Sequence, residues 1–251
     1  MTPLLDAAYL RELAALRRQL SFRAASRGGP GEHTASARGA SAEFREHRAY
    51  APGDDLRRVD WLAFARTGQP VTKTFRAAED VVVRIVLDGS ASMGLGSPSK
   101  ASHGASLAAG IAYLALEGGE RAQSFTLREG QVGPGAAGRG RGGFGRIARS
   151  LGLLEARGGG SLGAALEEAL PRWPRPGALV VVSDFLEPPE SLQGALRRAA
   201  FAGHDVRLLQ VLAPEDLAPS LEGDLRLEDC ESGVAVELTL DGPTRAAYHR
   251  H

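Results

Sequence analysis

Apolar and polar positions alternate along the chain in two rhythms. Leu5, Ala8, Leu13, Leu16 and Leu20 recur at helical spacing with Arg and Glu between them, which predicts an amphipathic helix over 4–20. From residue 81 the rhythm changes. Val81–Leu87 is a nearly continuous β-branched run, the mark of a strand buried on both faces. Ala122–Leu127, Ala178–Asp184 and His204–Leu212 read as further strands. Helical stretches are expected at Ala105–Leu116, Phe144–Leu154, Leu162–Leu170 and from Pro188 to about Ala202. Strand and helix thus alternate through 81–212, which predicts a doubly wound, mostly parallel α/β sheet of Rossmann type. Ser97–Gly104 and the glycine-rich Gly130–Gly145 read as loops. Asp224–Leu227 and Val234–Leu240 read as a closing hairpin.

Three pieces follow: an N-terminal helix with a small β-rich segment over 1–78, an α/β domain over 79–215, and a hairpin with tail over 216–251. Between the first helix and the sheet, Pro52-Gly53-Asp54-Asp55 is turn chemistry, and Asp55 is placed to cap a short helix carrying Val59, Trp61 and Leu62. Arg45, Arg48, Arg57, Arg58 and Arg66 accompany Asp54, Asp55 and Asp60. They read as an ion-pair network docking this segment on the next domain, with a catalytic cluster as the alternative.

Composition narrows the classes. Lys+Arg and Asp+Glu balance at 30 each, so no net charge recruits nucleic acid or an acidic membrane. The arm with Arg11, Arg17, Arg18, Arg23, Arg27 and Arg38 is basic, but it lacks interleaved aromatics, so a solvated face is favoured over nucleic-acid binding. The lone Cys230 excludes an internal disulfide framework. The first residues are too interrupted by charge for a signal peptide, and no apolar run reaches membrane-spanning length. A soluble cytoplasmic protein is expected, with no membrane partner.

The chemistry concentrates where the first buried strand ends, in Asp88-Gly-Ser90-Ala-Ser92-Met93. Ligands of open parallel sheets bind outside the carboxyl ends of the strands. A carboxylate and two hydroxyls there suit Mg²⁺ or Mn²⁺, hard cations that take oxygen donors. Asp184, ending a later strand, adds a second acid. Without a metal, Asp88 and the serines would cap the turn and bond one another.

This Asp-x-Ser-x-Ser pattern resembles the metal-ion-dependent adhesion site of von Willebrand factor A domains. Glu43-Phe44, Arg48, Tyr50, Pro52-Gly53-Asp54-Asp55, Arg57, Asp60-Trp61 and Ala65-Arg66 precede it. Ser183-Asp184-Phe185 and Asp229-x-Glu231-x-Gly233 follow. Together they resemble the bacterial DUF58 family over residues 28–240. The resemblance implies a non-enzymatic adaptor or chaperone-like partner of a MoxR-type AAA+ ATPase. It also implies a metal held by Asp88, Ser90 and Ser92, with Asp184 reaching it through water. The family's second loop carries Thr where Gly160 stands here, and Ser161 is the adjacent candidate. The expected partner donates an acidic side chain to the metal.

A serine hydrolase using Ser92, Asp184 and His204 is the enzymatic alternative, since their order matches that fold class. His204 precedes its strand, however, which predicts that it lies at the far end of the sheet.

Overall fold

A computed structural model describes residues 4–17, 22, 43–76, 81–218 and 221–248, and the chain divides into two units, 28–80 and the remainder. Its helices and strands are α1 (Ala7–Leu16), β1 (Glu43–Ala49), α2 (Trp61–Thr67), β2 (Val71–Arg76), β3 (Val82–Asp88), α3 (Lys100–Glu117), β4 (Arg121–Arg128), β5 (Gln131–Arg139), α4 (Phe144–Gly152), α5 (Leu162–Ala169), β6 (Ala178–Ser183), α6 (Pro189–Phe201), β7 (Asp205–Gln210), α7 (Pro214–Leu217), β8 (Gly223–Glu228), β9 (Ala235–Leu240) and α8 (Gly242–Tyr248).

In the smaller unit β1 and β2 pair antiparallel around α2. Asp55 caps only a 3₁₀ turn at Leu56–Arg58, and Asp60 caps α2 by accepting the Ala63 N–H. The acids here are paired within the unit: Arg48 bonds Asp54 at 2.6 Å, while His47 and Lys73 both reach Asp60. The Ala63 N–H and then His47 hold the Asp60 carboxyl well below its usual range. Residues 31–42, expected to belong to this piece, lie outside the described residues, as do Arg18, Arg23, Arg27 and Arg38 of the basic arm.

The larger unit is built on a five-stranded sheet in the order β5-β4-β3-β6-β7. β4, β3, β6 and β7 run parallel, and β5 is an antiparallel edge. Side-chain alternation sorts the core into two layers. Val83, Ile85 and Leu87 face α3, α4 and α1, whereas Val86, Leu127, Leu179 and Val181 face α5 and α6. Each such buried Val or Leu contributes about 1.5–3 kcal/mol. α1 lends Leu13 to the first layer, so it packs within the α/β unit.

Two stretches expected as loops are regular. β5 replaces part of the glycine-rich loop, so strict βα alternation fails at β4–β5. Its turn, Glu129-Gly130, has positive φ at both residues, as a two-residue hairpin requires. Gly135 is needed because a Cβ there would stand 2.6 Å from Ser124 Oγ. α3 begins at Lys100, capped by the Ser99 hydroxyl, and so absorbs the end of the expected polar loop.

Candidate metal centre at the carboxyl edge of the sheet

β3 delivers Asp88 to the carboxyl edge, 4% exposed. Its Oδ1 accepts the Ser90 N–H at 2.9 Å, and its Oδ2 accepts the Ser183 hydroxyl at 2.6 Å. Burial pushes the Asp88 carboxyl above its ordinary value. The bonds from Ser183 and Ser90 pull it back in part, and the negative charge of Asp184 adds to the rise. No ion pair to Asp88 occurs among the described residues. Ser90 Oγ and Ser92 Oγ lie 3.1 Å apart. The three donors read from the first loop are therefore brought together. The loop is fixed from outside by the bonds Ala91 N–H to Gly158 O and Arg157 N–H to Gly89 O.

The second loop supplies no such donor. Gly160 sits at φ +146°, and a Cβ on it would stand 2.5 Å from Gly130 Cα. The β4–β5 turn thus occupies the space a threonine side chain would need. Ser161 caps α5, its hydroxyl accepting the Ala164 N–H at 3.2 Å. At the third loop Asp184 is bound to a residue the sequence reading passed over. Lys100 Nζ, on a side chain 2% exposed, lies 2.9 Å from Asp184 Oδ2 and 2.9 Å from Asp216 Oδ2. Burial alone would depress this ammonium, but its bonds to Asp184 and Asp216 outweigh that and raise its pKa. Asp184 Oδ1 accepts the Leu186 N–H at 3.3 Å. Phe185 between them takes a left-handed φ of +52°, a costly conformation for a side chain of that size.

The hairpin of β8 and β9 turns at Asp229–Gly233, where Asp229 Oδ1 accepts the Glu231 and Ser232 N–H groups. Glu231 stands over the second loop, its Cβ 2.8 Å from where a Cβ on Gly159 would lie. An acid of the chain itself therefore borders the site.

His204 is at the opposite end. It precedes β7, is buried, and lies near Arg84, Gly177 and Trp173. Ser92, Asp184 and His204 are not brought together, as the strand order predicts. Arg17 of the basic arm is bound to Glu120 at 3.1 Å.

Residues 46–251 match the family described as "Protein of unknown function DUF58". The chain belongs to that family. A Mycobacterium tuberculosis protein called only "uncharacterized" is 32% identical over 225 residues, covering 88% of this chain and 70% of its own length. A Mycobacterium avium protein, likewise "uncharacterized", is 37% identical over 97 residues, or 36% of this chain and 56% of that one. Among solved structures, an aerotolerance-related membrane protein from Bacteroides fragilis is similar at 20% identity and TM-score 0.45, over 68% of this chain and 87% of that one. BatB from Bacteroides thetaiotaomicron is similar at 17% identity and TM-score 0.45, over 68% and 85%. Among the described residues of this DUF58 protein, no helix is long and apolar enough to cross a membrane.

Proposed function

We propose that this DUF58 protein is a non-enzymatic interaction module whose carboxyl sheet edge, of the von Willebrand factor A kind, binds an acidic partner with the help of Mg²⁺ or Mn²⁺. One contrast carries the reading: Asp184 has its counter-cation in Lys100, whereas Asp88, equally buried, has none among the described residues. A buried carboxylate without a cation is unfavourable, and an external cation beside it relieves that cost. The donor set fits a hard divalent ion. Asp88, Ser90 and Ser92 would hold it, and the bare second loop and the committed Asp184 make the hold weak. Bound there, the ion supplies an open coordination position for a carboxylate.

The chain's own residues do the rest. Ser183 and the Ser90 N–H orient the Asp88 carboxylate, Lys100 fixes the third loop, and Glu231 borders the opening. A MoxR-type AAA+ ATPase is the partner that the family resemblance supports. Co-purification from cells with and without EDTA tests the reading. Loss of a partner with EDTA and with Asp88→Ala is expected. Retention under both places the interface elsewhere.

A further inference from the structure

A second site is written into the other end of the sheet. On the α5 face of β3 the inward positions read Val82, Arg84, Val86, so a guanidinium stands where the strand calls for an aliphatic side chain. Arg84 is 4% exposed, and neither its Nε nor its Nη1 has a hydrogen-bond partner. Among the described residues no carboxylate pairs with it. Burial lowers its pKa. Its guanidinium lies over the Trp173 ring, whose centroid is 5.8 Å from Cζ. Gly177 makes room beside it, since a Cβ there would approach Nη1 to 3.0 Å. The neighbouring His204 offers no counter-charge. Burial first, and then the charge of Arg84, lower its pKa and favour the neutral ring.

Arg84 borders a cavity of about 490 Å³, a volume typical of small-molecule sites. The walls include the rings of Trp173 and Phe125 and the amide of Gln123, with Arg172 and Arg175 at the exposed rim. Among the described residues no acidic side chain lines it. Arg172 is shared with Glu168, but Arg175 has no ion-pair partner among the described residues.

We propose that this cavity binds a small organic oxyanion, a carboxylate or phosphate on a flat apolar body, with Arg84 as its central charge partner. A planar guanidinium fork matches both oxyanions bidentately, and a desolvated one gains most from such a partner. The two aromatic rings supply walls for the apolar body. This site is independent of the metal edge, which lies at the opposite ends of the same strands.

The test uses the full chain with Trp61→Phe, which leaves Trp173 as the sole tryptophan. Phenyl phosphate and benzoate are titrated separately while Trp173 emission is followed. A saturable change with at least one of them is expected, and the tighter probe identifies the oxyanion. Arg84→Met should weaken that binding at least about tenfold, the scale of a lost charge-assisted bond. It should also raise the thermal midpoint, because an unpaired buried charge is gone. The exposed double variant Arg172→Ala, Arg175→Ala should weaken binding with no change in midpoint, and it decides the matter should Arg84→Met fail to fold. No saturable response to either probe overturns the proposal. So does an unchanged response in the folded variants.

Discussion

Lys100 and Arg84 are two cations buried almost equally in one α/β unit, at opposite ends of its sheet, and their surroundings could hardly differ more. Lys100 has two carboxylates at 2.9 Å, Asp184 from the third loop and Asp216 from α7. Arg84 has an indole face and, among the described residues, no acid. A buried charge left without a partner carries an uncompensated desolvation cost. Lys100 is therefore a closed structural device. It joins the helix after the first loop to the loop after β6 and to α7. Arg84 is half of a device whose other half is external. The carboxyl edge repeats the lesson with the sign reversed: among the described residues Asp184 has a cation and Asp88 has none.

The comparison breaks most visibly at Lys100. Lys100→Met leaves Asp184 and Asp216 without their cation, and should cost about 3–5 kcal/mol in chemical denaturation. Adding Asp184→Asn should recover part of that loss. A silent Lys100→Met would mean that the pair adds nothing. Next in size is Gly160→Thr, the change that would restore the family's second-loop residue. It meets the Gly130 backbone and a left-handed φ, so a loss of about 2–4 kcal/mol is expected in the same assay, with no gain in metal affinity. Tighter metal binding in that variant would show that the β4–β5 turn yields.

Arg84→Met works in the other direction. Exchanging an unpaired buried cation for an apolar chain should stabilise the protein by about 1–2 kcal/mol, read as an upward shift in thermal midpoint. The smallest effect belongs to its neighbour. The folded pKa of His204 lies below the ordinary 6.5, so the unfolded chain takes up a proton first as pH falls. The stability His204 contributes is full above pH 6.5 and is lost as pH drops from there through the lower folded value. Denaturation midpoints across that window should decline for the wild type and flatten for His204→Gln.

Much of this was visible in the residue pattern. The run Val81–Leu87 fixed the central strand, and its end at Asp88-x-Ser90-x-Ser92 located the edge where donors meet, because buried parallel strands leave their ligands at their carboxyl ends. Position along the chain also separated His204 from Ser92 and Asp184. β5 was hidden since its glycines and Pro134 have low strand propensity. Gly135 is there for close approach to Ser124 of β4 and Ser150 of α4, a tertiary reason. Lys100 was hidden since its partner Asp184 is 84 residues away and a lone lysine after Ser-Pro-Ser resembles solvated loop. Arg84 was in plain view as the one charge inside an apolar run. The signal was its violation of the strand's own pattern.

Calorimetric titration of Mn²⁺ into the wild type and into Asp88→Asn asks whether Asp88 is held ready for an external cation. The wild type should bind one ion weakly, with affinity rising as pH increases through the elevated Asp88 value, because the carboxyl must ionise to act as a ligand. Asp88→Asn should bind none and, without metal at neutral pH, should be more stable than the wild type, since burial there disfavours the charge. Identical titration curves for the two proteins, or a metal-free Asp88→Asn that is less stable than the wild type, would contradict the account.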